Sequence, residues 1–281
     1  KFFLLTMTDL GNSFLKKSKN VKYYIHFFHA PVSAHKQFTA KAFNNYDIVF
    51  ANGNYQIKEL RALEQINNSK TKEIFPTGYM YFDYLIKIEK KKHEDYILFA
   101  PSWSYSKNNC LDKYGFKIIK NLIEQNYKVI FRPHPEHFKR SKIQLEIIRN
   151  NFAKNSSFIF DKNFSNIDSI QKSKLIITDY SGIAIEAFYP FFKPVLYINT
   201  EEKIQNDIFD NIEIEAMEDK IRNKFGIQIT PDDLSNFSSH LSRCLSNIDL
   251  IKDEIEKFYE SNFGNLKKVV DKNYNILKNL S

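Results

Sequence analysis

Short apolar runs alternate with amphipathic stretches along most of this chain. The clearest example lies between residues 175 and 198, where apolar and β-branched residues from Leu175 to Thr178 predict a buried strand. The polar turn Asp179-Tyr180-Ser181-Gly182 follows, and an apolar stripe at helical spacing begins at Ile183. A second strand-like run, Val195 to Ile198, closes the segment. This order predicts strand, tight turn, helix and strand, which is the βαβ unit of a parallel sheet.

The same patterns predict further elements on both sides of this unit. Further strands are predicted at 2–6, 21–28, 47–51, 73–77, 96–101, 128–131 and 158–160. Helices are predicted at 36–44, 54–65, 81–91, 111–125, 143–152, 167–172, 231–246 and 251–280, the last one long and basic. The alternation of strands and helices predicts an α/β fold with mostly parallel sheets.

Polar turns follow three of the predicted strands, at His29, at His134 and at Asp179–Gly182. In open α/β sheets, ligands bind outside the carboxyl ends of the strands. We therefore expect these three turns to carry the functional site.

A polar patch without apolar periodicity, Lys90 to Asp95, marks the predicted domain boundary. We expect an N-terminal domain at residues 1–93 and a C-terminal domain at residues 94–250. Residues 251–281 are expected to form a helix that packs back on the first domain or lies at a membrane. The chain begins at Lys1 rather than at methionine, so we expect further residues to precede it.

Composition narrows the possible classes of protein. Of the 281 residues, 43% are hydrophobic, which favours a globular chain over a disordered one, and no apolar run approaches the ~20 residues that span a bilayer. The net charge of +8 suits phosphorylated substrates, an anionic membrane surface or nucleic acid. Nucleic acid is the least favoured partner, because the lysines are scattered rather than clustered among aromatic residues. Cys110 and Cys244 lie far apart and lack metal-ligand spacing, which fits a reducing compartment.

The turn after the strand at Leu175 is the strongest candidate for ligand binding. The Ser181 hydroxyl and the backbone N–H groups at the start of the predicted helix can bind a diphosphate. Glu186 lies one helical turn further along, where it can accept hydrogen bonds from a ribose. The alternative is an ordinary capped helix, in which Asp179 or Ser181 is the N-cap and Glu186 lies on an exposed face.

Two histidines at strand ends are further candidates. In Arg132-Pro133-His134-Pro135, two prolines fix the backbone around His134, and Arg132 offers a planar fork for phosphate. His29 can act as a general base towards a hydroxyl group, although a single histidine is more often structural. His137 forms a His-x-x-His pair with His134, but no further ligands stand nearby, so we expect no metal.

Several well-known motifs are absent from the sequence. There is no Gly-x-Gly-x-x-Gly, no Walker A sequence, no Gly-x-Ser-x-Gly, no zinc-binding Cys/His set and no Asp-x-Asp. These absences disfavour hydride transfer, nucleoside triphosphate hydrolysis and hydrolase chemistry.

At these residues the chain resembles the CDP-glycerol glycerophosphotransferase family, whose members prime or polymerise the polyol-phosphate chains of teichoic acids and some capsules. The resemblance covers about residues 20–235. The matching pieces, in family order, are His29-Ala30-Pro31, Tyr46–Phe50 with Gly78-Tyr79, Ala100–Trp103 with Arg132–Pro135, and Thr178–Gly182 continued by Lys193–Leu196.

The resemblance implies a GT-B fold, with two Rossmann-like domains whose parallel sheets face each other across a cleft. It implies that the domain at 1–93 is on the acceptor side and that the domain at 94–250 binds the nucleotide. The first domain is short for a complete GT-B domain. The resemblance also implies transfer of a glycerol- or ribitol-phosphate-like group from a CDP-activated donor to a hydroxyl acceptor in cell-surface polymer synthesis, with release of CMP. The implied partners are the CDP-linked donor and a glycan or lipid-linked acceptor. No cofactor and no metal are expected, since the CDP-linked donor is a substrate.

Motif matching assigns roles residue by residue. His29 matches the base that deprotonates the acceptor. His134, with Arg132, matches the residues that stabilise the donor phosphates and the departing CMP. The implied nucleotide and phosphate pocket is lined by Thr178, Asp179, Ser181, Gly182 and Glu186.

The alternative reading is a GT-B glycosyltransferase that uses a nucleotide-sugar donor for capsule or lipooligosaccharide synthesis. Both readings place the protein in the cytoplasm, with an anionic inner membrane face as a further expected partner. A third reading, an inactive scaffold, predicts that replacement of His29 leaves function intact.

Overall fold

The structure is a computed structural model that describes residues 1–92, 95–106, 108–264 and 266–280. Contacts within the chain group it into two compact units. The first unit comprises Lys1–Ile88, Ile204–Asp219 and Glu256–Ser281, and the second comprises Glu89–Lys203 and Lys220–Ile255. The predicted boundary between residues 93 and 94 falls on residues outside the described ranges and stays a prediction.

The elements follow one another in the alternating order that the sequence predicts. The strands are β1 (Phe2–Leu5), β2 (Tyr23–Phe27), β3 (Ile48–Ala51), β4 (Glu73–Pro76), β5 (Tyr96–Phe99), β6 (Lys128–Phe131), β7 (Phe158–Phe160), β8 (Ser173–Thr178), β9 (Val195–Ile198) and β10 (Ile227–Ile229). The helices are α1 (Ala34–Gln37), α2 (Asn54–Ile66), α3 (Met80–Lys87), α4 (Phe116–Glu124), α5 (His137–Arg140), α6 (Lys142–Phe152), α7 (Ile167–Lys172), α8 (Ile183–Phe188), α9 (Met217–Phe225), α10 (Phe237–Leu250), α11 (Lys252–Phe263) and α12 (Val269–Leu280). A π-helical turn, Leu111–Gly115, leads into α4, and 3₁₀ turns lie at Phe209–Asn211 and Pro231–Asn236.

The sheet of the first unit is parallel and runs in the order β1-β2-β3-β4. Side chains of β2 and β3 alternate between its two faces, as the pleat of a strand requires. Tyr24 and Val49 belong to one buried cluster, whereas Ile25 and Ile48 belong to another. Residues of α12, including Leu277, pack against the second cluster, so the apolar side of this helix lies in the core of its own unit.

The sheet of the second unit is also parallel, in the order β10-β9-β8-β5-β6-β7. The chain proceeds from β5 outward to β7 and then returns to build β8, β9 and β10 on the other side of β5. Read from β7, this is the 3-2-1-4-5-6 order of dinucleotide-binding folds, in which the ligand lies where the order reverses. The reversal falls between β5 and β8, so the topology itself singles out the turn that follows Thr178.

The structure differs from the predicted elements in several places. The helix predicted at 36–44 ends at Gln37, because the chain then folds into successive tight turns that bury Phe43. The long helix predicted at 251–280 is two helices, α11 and α12, separated by a segment in which Gly264 and Lys267 have positive φ values of 50° and 73°. Helices α5 and α9 and strand β10 were not predicted. In the described part of the chain, no helix is long and apolar enough to cross a membrane.

Candidate functional site

The site of the second unit is built where β5 and β8 end side by side. The Ala100 backbone N–H donates to the Ile177 carbonyl over 3.0 Å, which extends the pairing of the two strands by one residue. The Thr178 hydroxyl donates to the Ala100 carbonyl over 2.7 Å and is fully buried. Thr178 therefore joins the two strand ends rather than facing solvent, and its predicted role in ligand binding stays a prediction.

Asp179 joins the loops that leave these two strands. Its carboxylate accepts the Ser102 backbone N–H on one oxygen (2.6 Å) and the Ser102 hydroxyl on the other (2.9 Å). Burial raises the pKa of the Asp179 carboxyl, while the Ser102 hydrogen bonds and the Tyr180 backbone N–H act in the opposite direction. Because both carboxylate oxygens are bound by Ser102, Asp179 fixes the position of the turn that follows it.

The turn itself presents Ser181 and Gly182 in partly exposed positions. No described residue accepts a hydrogen bond from the backbone N–H of Ser181 or Gly182, so both donors are available to a ligand. The Ser181 hydroxyl only weakly caps α8, since it lies 3.5 Å from the Ile183 backbone nitrogen. Helix α8 has six residues, so it provides less of a dipole than a longer helix would.

Glu186 does not lie on an exposed face, which rules out that part of the ordinary capped-helix reading. Its side chain is buried in α8, and one oxygen accepts the Asn166 side-chain amide over 2.7 Å. The proposed contact between Glu186 and a ribose stays a prediction.

Arg132 lies at the end of β6, next to β5 in the sheet. Its guanidinium pairs with the Asp161 carboxylate over 2.6 Å and donates to the Phe164 carbonyl over 3.0 Å. Asp161 also accepts a short hydrogen bond from the Ser169 hydroxyl. Arg132 is thus held in a fixed orientation by a buried carboxylate, and its role towards phosphate stays a prediction.

His134 follows Arg132 and has a defined tautomer. Its Nδ1 accepts the Glu136 backbone N–H over 3.1 Å, so the neutral ring carries its proton on Nε2 and can donate it to an oxygen. The His134 backbone N–H donates to Nδ1 of the buried His137 over 3.1 Å. Burial lowers the pKa of His137 to about 4, so His137 supports this loop as a neutral ring.

A partly exposed group of aromatic and cationic side chains lies beside His134. The Trp103 ring is 5.9 Å from the His134 ring, and the Arg140 guanidinium stacks at 4.5 Å from Tyr105 and 5.2 Å from Trp103. The Lys203 ammonium lies 5.3 Å from the Trp103 ring. These side chains come from the loops after β5 and β9 and from α5, which follows β6, all at the carboxyl edge of the sheet. Arg140 is paired with the Glu136 carboxylate over 3.0 Å, so the cations and aromatic faces together, rather than a large excess of charge, suit phosphorylated ligands.

His29 lies at the end of β2 in the first unit and is exposed, whereas His26 is buried. Burial lowers the pKa of His26 to about 3, and aromatic rings surround it. Hydrogen bonds to main-chain carbonyls hold the loop that carries His29: Tyr79 donates to His29 (3.0 Å), Asn52 to Ala30 (2.9 Å) and Gln56 to Val32 (2.7 Å). The structure thus presents His29 to solvent on a well-anchored loop.

Two carboxylates anchor the next part of this loop, and Glu59 is buried whereas Glu218 is half-buried. Glu218 accepts the Ser33 backbone N–H over 2.9 Å, and Glu59 accepts the Ala34 backbone N–H over 2.6 Å, so both satisfy donors at the start of α1. The His35 ring lies 3.3 Å from Glu59 and 2.8 Å from the Ile214 carbonyl. Burial alone lowers the pKa of His35, but the hydrogen bond and charge of Glu59 outweigh it and leave that pKa raised.

The second unit brings together most of the predicted residues, from Arg132 to Glu186, around the ends of β5, β6 and β8. His29 belongs to the first unit. Sequence reasoning missed Ser102, Asp161 and Arg222, whose contacts with the site come from distant parts of the chain. Asp161 could have been found, because it follows a predicted strand directly. Within the described residues, no group of three or more His, Cys, Asp or Glu side chains is arranged to hold a metal ion.

Comparison with known proteins gives a consistent result. The sequence model of the CDP-glycerol:poly(glycerophosphate) glycerophosphotransferases matches residues 20–212. None of the curated protein sequences matches the chain. The matched region, residues 20–212, includes His29, the Arg132–Pro135 loop and the turn at Ser181, so all the predicted site residues lie inside it.

Solved structures with similar folds include the wall teichoic acid polymerase TagF, at 16% identity and a TM-score of 0.53 over 95% of this chain and 70% of that chain. S. aureus MnaA, solved with UDP, has 14% identity and a TM-score of 0.57 over 91% and 68%. A putative UDP-N-acetylglucosamine 2-epimerase from Listeria monocytogenes has 16% identity and a TM-score of 0.54 over 92% and 68%. At these identities the likeness establishes the fold alone, and it confirms the predicted GT-B class.

Proposed function

Because the chain belongs to the CDP-glycerol:poly(glycerophosphate) glycerophosphotransferase family, we propose that it transfers a polyol phosphate from a CDP-activated donor to a hydroxyl group of a teichoic acid or capsule polymer. The family makes the chain a transferase of the polyol-phosphate type. The donor, the release of CMP and the polymer are the proposal. The observation that carries it is the reversal of strand order between β5 and β8, with unpartnered N–H donors at Ser181 and Gly182 beside it.

In the proposed reaction, the acceptor hydroxyl attacks the β-phosphorus of the donor. A bond forms between the acceptor oxygen and phosphorus, the bond from phosphorus to the bridging oxygen breaks, and CMP leaves with the bonding electrons. His29 takes the proton of the hydroxyl group, which suits an exposed imidazole on an anchored loop. His134 donates from Nε2 to a phosphate oxygen, and Arg132 adds positive charge where negative charge develops.

The proposed donor site lies in the second unit. The Ser181 hydroxyl and the backbone N–H groups of Ser181 and Gly182 bind the diphosphate, and Glu186 accepts hydrogen bonds from the ribose. We propose that no resident cofactor takes part, since the CDP-linked donor is itself the substrate.

The proposal includes an anionic inner membrane face as a partner. The loop after β1 supports this, because its hydrogen bonds hold the apolar side chain of Phe14 exposed to solvent. The Asn12 side chain accepts the backbone N–H groups of Phe14 (2.9 Å) and Leu15 (2.7 Å), and the Phe14 side chain is 94% exposed. Lys16 and Lys19 are exposed beside it and can contact anionic lipid headgroups.

Calorimetric titration of the purified protein with CDP, UDP, GDP and ADP tests the proposed donor class. We expect clear preference for CDP and weaker CDP binding by Ser181→Ala. Ser104→Ala is the matched control, because Ser104 lies in a loop of the same unit and, among the described residues, its hydroxyl accepts only a local hydrogen bond from the Ser106 backbone N–H. Preference for UDP or GDP would instead support a GT-B glycosyltransferase that uses a nucleotide sugar.

A further inference from the structure

Arg222 of α9 is a buried cation next to the proposed donor site. Arg222 is only 5% exposed. The guanidinium lies between two aromatic rings, at 4.4 Å from the Tyr180 ring and 4.7 Å from the Tyr197 ring. Tyr180 is itself part of the turn that leads to Ser181.

The hydrogen bonds of Arg222 go to neutral oxygen atoms. Nη1 donates to the Asp179 main-chain carbonyl over 2.7 Å, Nη2 to the Asn199 side chain over 2.6 Å, and Nε to the Gln228 side chain over 3.1 Å. No carboxylate of the described chain lies within ion-pair distance of this guanidinium. The nearby Asp179 carboxylate is bound by Ser102 instead.

A buried charge without a counter-ion is unfavourable in a folded protein, and an arginine side chain keeps its charge. Two aromatic faces and three neutral acceptors stabilise the guanidinium, but they do not neutralise it. The positive potential therefore extends to the adjacent turn, where the N–H groups of Ser181 and Gly182 already favour an anion. This charge is independent of α8, which is too short to provide a strong dipole.

We propose that Arg222 supplies the fixed positive charge that attracts the donor diphosphate to the turn at Tyr180–Gly182 and holds that turn in its binding conformation. This inference rests on the proposed function, since it places the diphosphate at that turn. Arg222 is a positioning residue: it acts through the Asp179 carbonyl and the Tyr180 ring. The ligand it favours is a nucleoside diphosphate, and its effect increases with the number of phosphate groups.

The test compares CDP, CMP and cytidine binding to the wild-type protein, Arg222→Gln and Arg222→Lys by ligand-observed NMR titration. In Arg222→Gln we expect CDP affinity to fall at least tenfold, CMP affinity to fall less, and cytidine affinity to stay within twofold. In Arg222→Lys the ratio of CDP to cytidine affinity should stay within about threefold of wild type, because the charge remains. Arg243→Gln, an exposed arginine of α10 in the same unit, controls for the change in net charge.

Equal losses for all three ligands in Arg222→Gln would overturn the inference, because they would show a structural role alone. Unchanged CDP affinity would overturn it as well. If Arg222→Gln does not fold, the CDP-to-cytidine ratio of Arg222→Lys decides, and loss of that ratio contradicts the proposed role of charge. If the wild-type protein binds no CDP, the proposed function is contradicted, and pyrophosphate then serves as the probe for the inference. Weaker pyrophosphate binding by Arg222→Gln supports the inference, as does retained binding by Arg222→Lys if Arg222→Gln does not fold. Unchanged binding by Arg222→Gln, lost binding by Arg222→Lys in its place, or no pyrophosphate binding to the wild-type protein overturns it.

Discussion

Replacing Ser102 by alanine tests whether the Ser102–Asp179 contact holds the site together. The hydroxyl lies 2.9 Å from a carboxylate oxygen, and the residues are 3% and 2% exposed. A hydrogen bond to a charged group contributes about 1.5–3 kcal/mol, and its loss leaves a buried oxygen less well solvated. We therefore expect Ser102→Ala to lower the free energy of unfolding of the second unit by about 2 kcal/mol at neutral pH.

The cost of this substitution should depend on pH in a defined direction. The pKa of Asp179 is raised above its ordinary value of 3.8, so the folded state binds the proton more tightly than the unfolded state. Stability from this group is therefore greatest at low pH and decreases as pH rises above 3.8 towards the folded pKa. A protonated carboxyl group loses less when a donor is removed, so the cost of Ser102→Ala should be smaller at pH 4 than at pH 7.

The assay is urea unfolding followed by the fluorescence of Trp103, which is the single tryptophan and is the next residue after Ser102. This signal reports the second unit, so it separates the transition of that unit from the rest of the chain. Ser104→Ala is again the control, and we expect a change below about 0.5 kcal/mol. An effect of Ser102→Ala no larger than that of Ser104→Ala, or one that grows as pH falls, would refute the reasoning.

Three further results are expected. His29→Ala should reduce turnover by about 10²-fold or more if His29 is the base, and an unchanged rate in a polymer-synthesis assay would remove that role. His26→Phe should remove acid sensitivity of the first unit, because His26 has a pKa of about 3 in the folded state and 6.5 in the unfolded state, so the wild-type protein loses up to about 5 kcal/mol of stability as pH falls through this window. Urea unfolding followed by circular dichroism at pH 7 and pH 5 measures this, and equal losses of stability in the wild-type protein and in His26→Phe would count against it. Phe14→Ser should reduce co-sedimentation with anionic liposomes, whereas Leu250→Ser, 83% exposed in the second unit, should not; equal binding by both variants would exclude the loop as the membrane contact.

Buried strands with continuous apolar runs were predicted well. Strands such as Lys128–Phe131 and Val195–Ile198 have the predicted limits, because buried strands of parallel sheets are continuous apolar runs. The prediction of a helix at 36–44 was wrong because the tertiary contacts of Phe43 favour a series of turns there, in spite of the helical pattern of the sequence. Helix α9 was missed because it is short and strongly polar, with only a narrow apolar stripe.

The site was predictable only in part, because sequence patterns report local features and not long-range contacts. Strand ends and turns are local features, so His29, His134 and the turn at Asp179–Gly182 could be found from the sequence alone. Their partners are not local: Ser102 meets Asp179 from 77 positions away, and Arg222 meets the same residue from 43 positions away. No periodicity in a single sequence indicates such pairs, and only the strand order brings them together.

Product analysis tests the central claim most directly. The protein would be incubated with CDP-glycerol or CDP-ribitol and a short polyol-phosphate primer, and the products followed by ³¹P NMR. The account predicts that a new phosphodiester signal and CMP appear together in equal amounts, and that both are lost in His29→Ala. Absence of both products with the CDP-linked donors, together with transfer of a sugar from a nucleotide-sugar donor, would contradict it.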